Sequence, residues 1–297
     1  MGNSTLREPA GRLATGLYLA AVAALTARIA HLDGWEWAAW GVLLGFAATF
    51  LPDRLESPQV RSLVVGVAIY GGLTWAIAYL PDLWFRIAFR LNHAENYLWR
   101  ANAAMAAIPL NDGRFLWSHQ YPPLTRLMRW IYITGFDMVV WIPLVRSLVA
   151  FDAFKVARYS LAAHLVQFPL IMPFYAAIRV DEVWSVFGHP DLCERGWTNE
   201  VRLNLGANCF PSMHTSVAFA VLLLALREKS RPFRWGMCVY ATAIIVSTVY
   251  MEIHWIVDIA GGLLLGVAAV RMVDWGLSRS LRRINVGETE SARAELA

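Results

Sequence analysis

The sequence predicts an all-α, polytopic membrane protein, and three observations predict it. Of 297 residues, 58% are hydrophobic and 16% charged, against about 45–50% and about 25% in soluble domains. Apolar runs of spanning length recur along the chain. Trp35, Trp37, Trp84, Trp184, Trp255 and Trp275 stand near the ends of those runs, where an apolar ring with one polar N–H suits the headgroup region. Lipid offers backbone N–H and C=O groups no partner, so the spans are helices rather than open sheets. The formal charge of +4 does not point to nucleic acid. Most basic residues flank the apolar runs, as membrane topology requires.

Taking about 20 apolar residues per crossing, the spans fall near 13–32, 37–52, 62–82, 131–150, 157–178, 213–226 with a short extension at its start, 235–253 and 255–272. Arg7 and Arg12 precede the first run, which reads as an uncleaved span. About eight spans put both termini on one side. The organisation expected is three N-terminal spans in 1–85, the third belonging to the core, then 86–130, a catalytic membrane core in 131–272, and a cytoplasmic tail in 273–297.

Arginine and lysine in short loops set the orientation. Lys155 and Arg158, then Arg227, Lys229, Arg231 and Arg234, then Arg271, Arg279, Arg282, Arg283 and Arg293 thread to one side, the cytoplasmic one. The opposite side receives 179–212, where Asp181, Glu182, Asp191, Glu194 and Glu200 outnumber Arg179, Arg195 and Arg202. Residues 86–130 break the pattern with Arg86, Arg90, Arg100, Arg114, Arg126 and Arg129. Arginines among aromatic and aliphatic residues at helical spacing read as interfacial helices lying against anionic headgroups. A miscounted span is the alternative. Cys193 and Cys209 share the extracytoplasmic loop and Cys238 lies in a span. The first two are either bonded or a pair of free thiols.

Two stretches carry chemistry. PSMH holds Ser212 and His214 at the mouth of an apolar run; EIHWIVD holds Glu252, His254 and Asp258. On a helix, His254 and Asp258 at i and i+4 share a face. The threading brings both stretches to the extracytoplasmic end. Ionisable groups near a span are costly and face a partner inside the bundle. A carboxylate on one imidazole nitrogen fixes the tautomer and frees the other to attack. A second histidine gives a proton to a leaving oxygen. A serine at a helix N-terminus sits beside unsatisfied N–H groups that welcome phosphate. Together these describe phosphoryl transfer through a phosphohistidine. A dianion in a dry site also needs a cation. Arg179, ending its span, is the first candidate and Arg202 a weaker one. Glu252 reads as a helix-end carboxylate, Asn208 as a cap, His93, His119 and His164 as structural or interfacial, and Asp112 with Arg114 as a turn.

These motifs resemble the type 2 phosphatidic acid phosphatase superfamily, whose pattern is K-x6-R-P, then P-S-G-H, then S-R-x5-H-x3-D. Pro211, Ser212 and His214 match the second motif, with Met213 at the glycine; Ser247, His254 and Asp258 match the third, with Thr248 at the arginine. No first motif is present. The resemblance implies His254 as nucleophile, Asp258 as its orienting partner, His214 as general acid, Ser212 as phosphate ligand, and a six-helix core in the last six spans. FPSMH and the absent arginine look closest to the branch that holds the inositol phosphorylceramide synthases. The resemblance covers roughly residues 110–272.

The function expected is a metal-independent enzyme acting on a lipid phosphate ester, with no cofactor and no metal, in a bacterial plasma membrane with its site facing outward. Its partners would be a lipid phosphate substrate and the surrounding membrane lipids. Water as acceptor makes it a lipid phosphatase; a second alcohol makes it a phosphotransferase. A zinc hydrolase built on His214, Glu252, His254 and Asp258 would leave the Pro-Ser mouth without a use. A transporter would carry polar groups through the bilayer's depth, and here they cluster at one face.

Overall fold

The structure, a computed structural model, describes residues 97–150 and 152–295. The expected spans at 13–32, 37–52 and 62–82 lie outside these residues, as do Arg86, Arg90 and His93. Among the described residues, four helices are long and apolar enough to cross a membrane: Pro122–Ser147, Ala153–Ala177, Arg231–Tyr250 and Ile256–Arg279. A fifth, Met213–Ala225, is as apolar but shorter. These occupy the last five of the expected spans.

The first of them begins earlier than the apolar run suggests. Pro122 and Pro123 occupy its first turn, where a missing N–H costs nothing and φ is already helical. The segment Pro122–Trp130 runs through a π-helical turn, Ile131–Gly135, into Phe136–Val149. The carbonyl of Gly135 accepts from Tyr240 Oη at 2.7 Å, which satisfies a group that the π-turn loosens from its ladder. A second π-turn, Leu161–Leu165, breaks the next span. There the buried Gln167 Nε2 donates to the Ala162 carbonyl at 2.7 Å. The 97–121 region holds two short helices, Asn102–Ala107 and Arg114–Trp117.

One feature departs from an all-helical chain. Trp99–Arg100 pairs in parallel with Ile178–Arg179, and Val180 bridges to Asn208. Backbone bonds from Val180 N to Ala207 O at 3.3 Å and Cys209 N to Val180 O at 3.1 Å extend this ladder to the residues just before PSMH. Such pairing satisfies loop backbone that would otherwise be stranded near the bilayer.

The Met213–Ala225 helix is the axis of the bundle. Val217, Ala218, Ala220, Val221, Leu224 and Ala225 along it are buried. The Ile256–Glu295 helix lies against it at the distance glycine permits. A Cβ on Gly262 would stand 2.6 Å from the Ser212 carbonyl, and one on Gly266 2.8 Å from the Ser216 carbonyl. The glycines of HWIVDIAGG therefore let the two motif-bearing helices touch backbone to backbone.

The three basic segments meet at one end. Lys155 Nζ bonds Glu228 Oε2 at 2.8 Å, Arg227 pairs with Asp274 at 2.7 Å, and Arg158 pairs with Asp274 at 3.3 Å. The motif residues gather at the other end of the Met213–Ala225 helix, about 20 Å away at 1.5 Å per residue.

Candidate functional site

Ser212 is the N-cap of the axial helix. Its backbone is extended, and its Oγ accepts from Thr215 N at 3.2 Å, which fills one orphan donor of the first turn. The helix starts at Met213 with no extension before it. The cap is held from two sides: Tyr175 Oη donates to the Pro211 carbonyl at 3.1 Å, and Ser212 N donates to the Asp258 carbonyl at 3.0 Å. Gly261 lies under Phe210 and Pro211, where a Cβ would come within 3.0 Å of both. Ser212 and Asp258 are both fully buried.

His254 and Asp258 meet, but not along one helical face. The helix begins at Ile256, so His254 lies in the turn before it. Asp258 is the third helical residue, and its Oδ2 folds back to accept Trp255 N at 2.9 Å, as the acidic arm of a capping box does. The same oxygen lies 3.4 Å from His254 Nδ1. The other oxygen, Oδ1, is buried without a hydrogen-bond partner. The turn hangs from the preceding helix through Ile253 N and His254 N, which both donate to the Thr248 carbonyl, at 3.0 and 3.2 Å. Thr248 is fully buried and its hydroxyl turns back to Ile245 O, so the arginine of the resembling motif has no room in this packing. From the far side, the buried Asn111 accepts Ile256 N through its carbonyl at 2.8 Å and Val257 N through its Oδ1 at 2.9 Å. Next to it, Asp112 Oδ1 accepts Arg114 N at 3.2 Å, the expected turn.

His214 faces this turn from one helical step inside PSMH. Its ring lies between Tyr132, stacked at 4.4 Å, and Phe136, tilted at 4.1 Å, and is 6.0 Å from the His254 ring. Tyr132 comes from the π-turn of the first span and Phe136 from the residue just after it, a placement with no signal in the sequence.

The loop over the site is clamped by Arg195. Its guanidinium binds Glu182 through two nitrogens, at 2.9 and 2.6 Å, and Asp191 through Nε at 2.9 Å, a planar fork matched to carboxylates. It also covers the Trp197 ring at 3.8 Å, and its charge reaches His214 and Tyr132. Burial alone would raise the Asp191 carboxyl; the Arg195 hydrogen bonds and charge, with the Cys193 and Arg195 N–H groups, hold it below its ordinary range. Burial pushes the Cys193 thiol up to about 12.

The remaining candidates are placed as follows. Arg179 is engaged by Asp181 at 3.2 Å and by the Leu203 carbonyl at 3.3 Å, and faces the Tyr97 ring. Arg202 bonds Ser185. Asn208 donates to Asn204 O and does not cap the axial helix; Ser212 does. His119 sits beside Ser118 on the surface, and His164 lies edge-on to Phe168. Glu252 is buried in a left-handed turn at φ 57° and binds His189 Nδ1 and Gln120. It is thus separated from the zinc set that included it. Cys193, Cys209 and Cys238 are all free, buried thiols. A different donor set does converge: one ligand atom each from Cys209, His254 and Asp258 lies within 4.8 Å of the others. Arg195, Tyr132, Phe136, Asn111 and Cys209 are the site neighbours that sequence reasoning missed. Each is brought in by a contact far away in sequence, with no local spacing to announce it.

No curated protein and no solved structure matches the chain. The model of the PAP2 superfamily matches residues 182–280. That stretch runs from the clamped Glu182 through Ser212, His214, His254 and Asp258. Over that stretch, the chain is similar to the PAP2 superfamily.

Proposed function

We propose that this protein is a membrane-embedded lipid phosphate phosphatase that works through a phosphohistidine at His254. The match to the PAP2 superfamily over residues 182–280 supports a phosphatase- or phosphotransferase-type enzyme. The observation that carries the finer reading is the 6.0 Å approach of the His214 and His254 rings, with Asp258 on His254 Nδ1. Asp258 holds the Nδ1 proton, so Nε2 keeps its lone pair and attacks phosphorus. The P–O bond to the lipid breaks as the N–P bond forms, and His214 gives its proton to the departing alkoxide. Water then gives its proton to His214 and attacks the phosphohistidine, which releases phosphate and restores both rings. Tyr132 stacks on the His214 ring and Phe136 lies tilted against it, which favours in-plane exchange of its proton.

Ser212 offers its hydroxyl hydrogen to the phosphate while its oxygen caps the helix. The dipole of the axial helix points its positive end at the same place. Arg179 remains the candidate cation. In that role it leaves Asp181 for the phosphate, and Arg179→Ala raises KM. The axial helix spans about 20 Å against about 30 Å of hydrocarbon, so with the basic segments in the cytoplasm the site lies below the outer headgroups. That depth suits a phosphate attached to a lipid.

A second reading, transfer of the phosphoryl group to another alcohol, rests on Thr248 and Met213, which depart from the phosphatase pattern. One experiment separates the two. Purified protein is incubated with a panel of lipid phosphates and phosphodiesters, with and without alcohols, and products are read by mass spectrometry. Free phosphate in every arm supports the phosphatase. A transferred headgroup only with alcohol replaces it with the transferase. Loss of all turnover on exhaustive chelation would overturn the metal-independent chemistry.

A further inference from the structure

We infer that Cys209, His254 and Asp258 form a binding site for a thiophilic divalent cation such as Zn2+, and that the cation switches the enzyme off. Three donors of different type converge from three backbone segments: a thiol from the loop before PSMH, an imidazole from the turn, and a carboxylate from the first turn of the last helix. All three are buried, with exposures of 3%, 4% and 0%. Cysteine, histidine and aspartate are the ordinary ligands of zinc.

Two further observations point to a ligand here. Asp258 Oδ1 is buried without a partner, and an orphaned carboxylate oxygen in a dry site is costly unless something binds it. The 3.4 Å between His254 Nδ1 and Asp258 Oδ2 is long for a charge-assisted hydrogen bond. It is also within the spacing of two ligands on one metal. Bonds of about 2.0–2.3 Å at the tetrahedral angle put ligand atoms roughly 3.3–3.8 Å apart. A set already within 4.8 Å closes on an ion with about 1 Å of side-chain movement. Cys209 Sγ has only weak partners to give up, carbonyls at 3.6 and 3.7 Å.

The charges balance. On binding, Cys209 releases its S–H proton to solvent, and thiolate with carboxylate neutralises the +2 ion, as a buried site requires. The cation takes the imidazole, whose single proton then sits on Nε2 instead of Nδ1, and the carboxylate that orients it. The consequence for turnover therefore rests on the proposed role of His254; the binding does not.

The test uses the full-length purified protein and Cd2+ alone, whose thiolate complexes absorb in the ultraviolet. Wild type should bind one ion with a thiolate charge-transfer band. Cys193→Ser,Cys238→Ser, with Cys209 as its single thiol, should keep the band, and Cys209→Ser should lose it. His254→Ala should weaken binding by about tenfold or more, the usual scale for a lost metal contact. In a parallel assay, Zn2+ should inhibit wild type at concentrations at least about tenfold below those needed for Cys209→Ser, each normalised to its own metal-free rate. No band in wild type, or loss of the band in Cys193→Ser,Cys238→Ser, overturns the site, and this holds even if Cys209→Ser does not fold. A band without inhibition overturns the switch while leaving the site. A metal-free protein with no turnover on any lipid phosphate would count against the proposed function alone.

Discussion

The two ends of the bundle handle buried charge differently. At the basic end two carboxylates have opposite charges close by: Glu228 has Lys155 at 2.8 Å, and Asp274 has Arg227 at 2.7 Å and Arg158 at 3.3 Å. At the motif end Asp258 leaves one oxygen without a hydrogen bond and meets its histidine at 3.4 Å. Between them runs one short apolar helix. Paired charges that join loops are anchors: Asp274 Oδ1 also lacks a hydrogen bond, but it has the Arg158 guanidinium at 3.3 Å, whereas Asp258 Oδ1 has no cation paired with it among the described residues. A buried carboxylate with capacity to spare is completed by something else. Above the motif end, Arg195 belongs to the first kind, so the loop offers both a finished clamp and an unfinished site.

Replacing the motif histidines should break this contrast most sharply. His254→Ala and His214→Ala should each lower turnover by about a thousandfold or more, the scale for losing a nucleophile or its acid partner. Helix content by circular dichroism should stay at the wild-type level. Normal turnover in either variant would return that histidine to a structural role.

Packing between the two motifs comes next. Gly262→Ala puts a methyl 2.6 Å from the Ser212 carbonyl. Overpacking of this kind costs about 1–3 kcal/mol, and here it pushes the cap away from Asp258. Activity should fall by about tenfold or more, since misplacement of about 1 Å can cost a hundredfold. Gly276, toward the basic end of the same helix, meets nothing within 4 Å of a new Cβ. Gly276→Ala should leave activity unchanged and raise the melting temperature slightly.

The clamp and the anchors can then be compared directly. Arg195→Met strands Glu182 and Asp191 and should cost about 3–5 kcal/mol, as breaking a buried pair does. Arg227→Met removes a partly exposed pair and should cost about 0–1 kcal/mol. Thermal denaturation in one detergent measures both. Equal costs would erase the distinction.

Acid provides the smallest effect. The Asp191 carboxyl is held below its ordinary 3.8, so its stabilising charge is present at neutral pH and fades as pH falls through the depressed native value. The melting-temperature gap between wild type and Asp191→Asn should be flat from about pH 5 to 8 and shrink below about pH 4. A gap that grew on acidification would reverse the assignment.

Much of this was legible in the sequence, for physical reasons. Spans of Leu, Val and Ala announce themselves by composition. Ser212, His214, His254 and Asp258 announce themselves because polar groups at a span's mouth need a purpose. Even the early start of the Pro122 helix had a signal, the Pro-Pro pair, though the apolar run behind it drew the boundary to 131. The capping role of Asp258 was hidden because spacing i, i+4 fits both a helical face and a residue reaching back over the N-terminus. The strand pair at Trp99–Arg100, the Arg195 clamp, the Asn111 brace and the place of Cys209 were not legible. Each depends on segments 13 to 146 residues apart, and no local pattern encodes such a meeting.

The central claim is that His254 carries the phosphoryl group. Its most direct test is to quench purified protein turning over a labelled lipid phosphate at alkaline pH, where phosphohistidine survives, and to map the modified peptide by mass spectrometry. The account predicts one acid-labile phosphoryl group on the peptide containing His254, absent from His254→Ala and accumulating in His214→Ala if water activation is what that variant loses. Turnover with His254 unlabelled, or label on another residue, would contradict it.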